Sequence, residues 1–133
     1  MARRMIIEGG GLPKHPQPFP TAVRVGNLVC SSAIGGQDPE TGKVPEAPEA
    51  QIRNAFHHVQ TALRLAGGSL ADIGKVTVYL KDRDTQRDML NAEWVRLFPS
   101  EQDRPVRHTV QGEFSGHRMI QVEFIAMVAD GAR

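Results

Sequence analysis

Two strand-like runs near the end of the chain carry residues that could act on a small acid. The first run, 104–110, contains Arg107, and the second, 119–126, contains Glu123 sixteen residues later. A guanidinium offers a planar pair of donors to a carboxylate, and a carboxylate nearby can move protons. The two residues suggest chemistry on a small carboxylate-bearing metabolite. An Arg–Glu pair at a surface or subunit interface is the alternative, and spacing alone favours that alternative.

Alternation of residue types predicts which face of each run is buried. The apolar faces are expected to consist of Val106, His108 and Val110 in the first run, and of Ile120, Val122, Phe124 and Ala126 in the second. The other sheet face then carries Arg107 and Thr109 together with Thr77, Tyr79, Gln121, Glu123 and Ile125. A face of such mixed polarity more often packs against another subunit than against water.

The remaining elements follow from turn and cap signals. Gly26-Asn27 predicts a hairpin between two short strands, after a first strand at 5–7 and a proline-rich loop. A first helix is expected from Ala47-Pro48 to Gly67-Gly68, a strand at 73–80, and a second helix capped by Asp84 and stopped by Pro99. The order β-ββ-α-β-α-ββ predicts one α+β domain over 1–133, with two helices on one face of a mixed sheet.

Composition excludes several classes of function. The net charge of +1 gives no field for nucleic acid or an anionic membrane, and no apolar run is long enough to span a bilayer. A single cysteine, Cys30, excludes an internal disulfide and a thiolate cluster. No signal peptide is seen, so a cytoplasmic protein is expected. The histidines lack ligand spacing, so no metal site is predicted.

Several motifs together resemble the Rid family, the reactive-intermediate deaminases also called YjgF-type proteins. The resemblance covers about residues 19 to 128. The order and spacing of its motifs, taken together, are specific for the fold. Its parts are the segments 22–27, 38–42 and 76–82, Asn91 with Trp94 and Phe98-Pro99, Pro105-Val106-Arg107, and the segment 122–126.

The resemblance implies a chorismate-mutase-like trimeric barrel with three sites between subunits. Arg107 falls where family members bind the carboxylate of a 2-imino acid, and Glu123 falls where a glutamate supports water or proton transfer. Thr109 is implied as a pocket residue. The family tyrosine appears here as Phe19, which lacks the hydroxyl donor, and either Ser31 or Ser32 matches the family serine. Asn91 is a further substrate-binding candidate, although a packing role on its helix is the simpler reading.

The function implied is hydrolysis of an enamine or imine to a carbonyl compound and ammonia, without a cofactor, as in metabolite damage control. A non-catalytic trimer that binds a small acid in the same pocket is the first alternative. An endoribonuclease is the second, and the near-neutral charge and the absence of a histidine pair argue against it. The natural substrate does not follow from the sequence, because Phe19 and the serine segment depart from the family pattern.

Overall fold

The structure, a computed structural model, describes residues 2–129, so residue 1 and residues 130–133 of the predicted domain 1–133 lie outside the described residues. This range contains seven strands and two helices. The strands are β1 (Arg4–Ile7), β2 (Ala22–Val25), β3 (Leu28–Ser31), β4 (Ile34–Gly35), β5 (Ile73–Leu80), β6 (Val106–Gln111) and β7 (Ile120–Met127). The helices are α1 (Pro48–Leu65) and α2 (Arg83–Leu97), and a 3-10 turn (Leu70–Asp72) precedes β5. The two-residue strand β4 was not predicted.

Most of the predicted boundaries are confirmed. Gly26 adopts a φ of +60° in the β2–β3 hairpin, and α1 begins with Pro48 at its first position. The helix ends before Gly67, whose φ of +89° is a left-handed conformation that glycine adopts without strain. The prediction that Asp84 caps α2 is wrong. Asp82 is the N-cap, because its side chain accepts a hydrogen bond from the backbone N–H of Thr85 at 3.3 Å.

The strands form one mixed sheet in the order β1-β2-β3-β7-β5-β6, with β4 also paired to β7. The β5–β6 pair is parallel and the other pairs are antiparallel. The strand that carries Arg107 and the strand that carries Glu123 are therefore not neighbours, since β5 lies between them. β6 is an edge strand, and α2 is the helix that lies against it.

Both helices cover the same face of the sheet, which confirms the predicted α+β layer. Phe56 of α1 and Trp94 of α2 meet with ring centroids 6.4 Å apart. Beneath them, Val76, Val122 and Phe124 are almost completely buried. The largest fully buried side chains of this core include Phe56, Phe124, Ile52, Leu63, Leu80, Leu90 and Ile120. None of the helices in residues 2–129 is long and apolar enough to cross a membrane.

The prediction for the two faces of β6 is wrong. Val106, expected in the core, is 65% exposed, and His108 is also exposed. Arg107 pairs in register with the buried Val76, and residues in register point to the same face of a sheet. The guanidinium side of β6 therefore faces α2, and its more apolar side lies on the open face.

One buried amide joins the start of α1 to the chain before β7. Gln51, 1% exposed, donates from Nε2 to the carbonyls of Pro45 at 2.8 Å and His117 at 2.7 Å. Its Oε1 accepts from the backbone N–H of Met119 at 3.0 Å. All three bonds run to backbone groups, so this side chain fixes the connection between β6 and β7 against the helix.

Candidate functional site

Arg107 lies under α2 in a cluster of polar and aromatic side chains. Its Nε donates to Thr109 Oγ1 at 2.9 Å, and its Nη2 donates to Asn91 Oδ1 at 2.6 Å. Its Cζ lies 4.9 Å from the centroid of the Trp94 ring, within the range of a cation–π contact. Three of the predicted site residues, Arg107, Thr109 and Asn91, are therefore brought together on the helix-covered face.

No carboxylate balances the Arg107 charge within residues 2–129. The ion pairs there are Arg83–Asp84, Arg87–Asp84 and Arg96–Glu93. Partial burial lowers the pKa of Arg107, and the charge of Arg87 lowers that pKa further. A half-buried cation without a counter-charge is costly, so this position favours an anion.

The two bonds of the guanidinium also leave a defined edge for a ligand. Of the five N–H donors of an arginine, Nε–H and one Nη2–H are occupied. The two Nη1–H groups and the second Nη2–H have no partner among the described residues. The Nη1–Nη2 edge can bind a carboxylate through two parallel hydrogen bonds, whereas the Nε–Nη2 edge is engaged by Thr109. Thr109, Asn91 and Trp94 hold the guanidinium in place.

Glu123 lies on the opposite face of the sheet. Its partner in register on β5 is Thr77, and Thr77 is also in register with His108 of β6. Arg107 is instead in register with Val76, the residue before Thr77 on β5. The expectation that Arg107 and Glu123 share one face is therefore wrong, because successive strand residues alternate between faces. Glu123 lines a depression of about 350 Å³ together with Ser31, Cys30, Lys75 and Thr77.

The two candidate serines have different surroundings. The Ser31 hydroxyl accepts a hydrogen bond from the backbone N–H of Phe124 at 3.0 Å, so it joins β3 to β7 beside Glu123. The Ser32 hydroxyl donates to the carbonyl of Thr21 at 3.0 Å. Ser31 thus belongs to the Glu123 depression, while Ser32 lies at a different cavity.

That cavity, of about 410 Å³, lies under the proline-rich loop. Phe19 lines it and is 51% exposed, with its ring 5.1 Å from that of His15. Its other lining residues include Thr21, Ser32, Gln37, Arg118 and Gln121, and Arg107 is not among them. Within one chain, the candidate residues therefore form three groups: Arg107 with Thr109 and Asn91, Glu123 with Ser31, and Phe19 with Ser32.

A buried histidine, His58, lines a separate cavity next to the segments 9–14 and 37–42. His58, fully buried, contacts the carbonyl of Gln37 through Nε2 at 2.7 Å. Because a carbonyl only accepts, Nε2 carries the proton. Burial is the main cause that lowers the pKa of His58, so the ring is neutral. Among residues 2–129, no group of three or more His, Cys, Asp or Glu side chains could hold a metal ion.

From the sequence, Trp94 was named among the family motifs without a role at the site, and Arg87 was not singled out. Both residues lie on α2 with Asn91: Trp94 follows it by three residues, and Arg87 precedes it by four. Residues three and four apart share a helix face. That spacing was the available signal, but nothing in the sequence showed that this face of α2 lies over Arg107.

Comparisons with known proteins agree with this fold. A family profile described as endoribonuclease L-PSP matches residues 12–129. A RutC family protein of Haemophilus influenzae is 39% identical over 93 residues, which cover 70% of this chain and 71% of that protein.

Two further relatives carry more specific names. The 2-iminobutanoate/2-iminopropanoate deaminase of Escherichia coli is 35% identical over 65 residues, 49% of this chain and 51% of that protein. The crystal structure of RidA from an Antarctic Psychrobacter superposes with a TM-score of 0.84 at 30% identity, covering 93% of this chain and 99% of that one. The chain therefore belongs to the Rid family, whose profile is described as endoribonuclease L-PSP.

Proposed function

We propose that this protein hydrolyses a small 2-imino acid, or the enamine in equilibrium with it, to a 2-oxo acid and ammonia. The observation that carries the proposal is the half-buried guanidinium of Arg107, which lacks a carboxylate partner within residues 2–129 and keeps its Nη1–Nη2 edge free. A substrate carboxylate fits that edge. The name of the Escherichia coli relative, a deaminase of 2-iminobutanoate and 2-iminopropanoate, supports this substrate class.

The reaction needs little beyond positioning and proton transfer. Water adds to the imine carbon to give a carbinolamine, and the C–N bond then breaks to release ammonia as the carbonyl forms. In the proposal, Arg107 holds the carboxylate beside the reacting carbon. Glu123 takes a proton from the attacking water and returns one to the nitrogen. Because an imine is already electrophilic, fixed orientation and electrostatics supply most of the acceleration.

Glu123 can act on a ligand of Arg107 only if a second chain completes the site. Within one chain the two residues lie on opposite faces of the sheet. The open face carries Val106, Ile125 and Met127, which are 65%, 48% and 60% exposed. Three large apolar side chains on one face favour burial against another copy. We propose a homotrimer in which one subunit supplies Arg107 and its neighbour supplies Glu123, Phe19 and Ser32.

The test is ammonia release from imino acids made in situ. An amino-acid oxidase generates the imine, a coupled assay follows ammonia, and the purified protein is added in catalytic amount. We expect faster release than in buffer alone, and its loss in Arg107→Ala and Glu123→Gln. A rate equal to the spontaneous one with several imino acids, from folded protein, would refute the proposal.

A binding protein without catalysis is the second candidate. The separation of Glu123 from Arg107 within one chain favours it, because a carboxylate pocket on Arg107 alone could bind an acid without activating water. Equilibrium binding of a stable 2-oxo acid distinguishes the two functions. Binding that requires Arg107 but occurs without imine turnover would support the binding protein.

A further inference from the structure

A second arginine lies next to the Arg107 cluster. Arg87 is on α2 four residues before Asn91, so the two side chains are neighbours on the same face of the helix. Asn91 Oδ1 is itself 2.6 Å from Arg107 Nη2. The Arg87 side chain is 47% exposed, so it is accessible to a ligand from solvent.

The charge of Arg87 is only weakly neutralised within the described residues. Its ion-pair partner there is Asp84 at 3.4 Å, and that carboxylate is 81% exposed and also within 3.9 Å of Arg83. Exposed pairs of this kind contribute little. The positive charge of Arg87 still reaches Arg107 and lowers its pKa. The carboxylate of a simple imino acid would balance one of these two cations and leave the other.

We infer that the pocket favours 2-imino acids that carry a second acidic group at the end of the side chain. Arg107 would hold the carboxylate beside the imine, and Arg87 would meet the distal carboxylate at the mouth. This inference rests on the proposed function, since it names the substrate class of the same site. An acidic side chain would also relieve the repulsion between the two guanidinium groups, which a neutral side chain cannot do.

Stable 2-oxo acids provide the test. Calorimetric titration compares 2-oxoglutarate with 2-oxopentanoate, which has the same chain length and a methyl group in place of the distal carboxylate. We expect the native protein to bind 2-oxoglutarate about tenfold more tightly, as one charge-assisted contact at a partly exposed position would give. Arg87→Gln should remove this difference and leave the affinity for 2-oxopentanoate unchanged. Arg53→Gln, at an exposed position on α1, removes the same charge elsewhere and should change neither affinity.

The outcomes separate this inference from the proposed function. Equal affinities for the two acids in the native protein would refute the preference for a second acidic group. An equal loss of affinity for both acids in Arg87→Gln would refute it as well. If 2-oxopentanoate then still binds through Arg107 and its imine is still hydrolysed, the deaminase proposal stands alone. If neither acid binds, the inference also fails, and the ammonia assay decides the deaminase proposal separately.

Discussion

Replacing Arg107 with lysine keeps the positive charge but removes the planar edge that we propose for the substrate. The native guanidinium uses one donor for Thr109 at 2.9 Å and one for Asn91 at 2.6 Å, and it retains three donors. An ammonium has three donors in all and cannot make the two parallel bonds. The substrate thus loses one charge-assisted hydrogen bond, which contributes about 1.5–3 kcal/mol. We expect kcat/KM to fall about ten- to a hundredfold and Arg107→Ala to lose more.

The assay pairs turnover of an imino acid with thermal melts and light scattering for each variant. Arg104→Lys is the matched control, because Arg104 makes a guanidinium bond to the carbonyl of Phe98 at 2.7 Å. That variant should lose stability rather than turnover per folded protein. The ion-pair alternative predicts the same pattern for Arg107 as for this control. Full activity in a stably folded Arg107→Ala would refute the deaminase proposal. It would also leave the binding-protein alternative without the residue that holds its acid.

Three further predictions address the assembly, the Phe19 cavity and the buried histidine. Light scattering should show a trimer at micromolar concentration, and a monomer would contradict the proposed assembly. Ile125→Glu, on the exposed face, should dissociate the trimer without unfolding the chain. Phe19→Tyr nearly keeps the ring volume, so it should change the ratio of kcat/KM between two imino acids more than the melting temperature. A structure of the assembly with Phe19 far from every Arg107 would exclude that role. Folding lowers the pKa of His58. Its contribution to the unfolding free energy is therefore fully present above about pH 6.5, the pKa of an unfolded histidine. That contribution is lost as the pH falls from there through the folded pKa. Urea melts across this range should show a smaller decline for His58→Gln, and identical declines would exclude His58 as the cause.

The sequence predicted the elements well because their signals are local. The Gly26 turn, the Pro48 start of α1 and the glycines that follow it each depend on the conformational preference of a few residues. The second cap was misplaced because Asp82 and Asp84 are equally suitable acceptors. Which of the two becomes the N-cap of α2 depends on the path that the chain takes out of β5.

The faces of β6 could not be predicted for a different reason. Alternation gives the period of a strand, but it does not say which side is covered when both sides contain polar residues. Trp94 and Asn91 provide a covered place for a guanidinium, and that place exists only once α2 has packed on β5 and β6. The grouping of candidate residues likewise depends on the insertion of β5 between β6 and β7.

The Gln51 amide bears on how a ligand could enter and leave the Phe19 cavity. Arg118, which lines that cavity, lies between His117 and Met119, and both of these backbone neighbours are bonded to Gln51. Opening this wall would break two hydrogen bonds to a side chain that is 1% exposed, and a buried unpaired amide would cost about 1–3 kcal/mol per group. Local opening is cheapest where such bonds are few. The Arg118 wall is therefore a fixed side of the cavity, and exchange of ligands should proceed along the proline-rich loop, which also lines it.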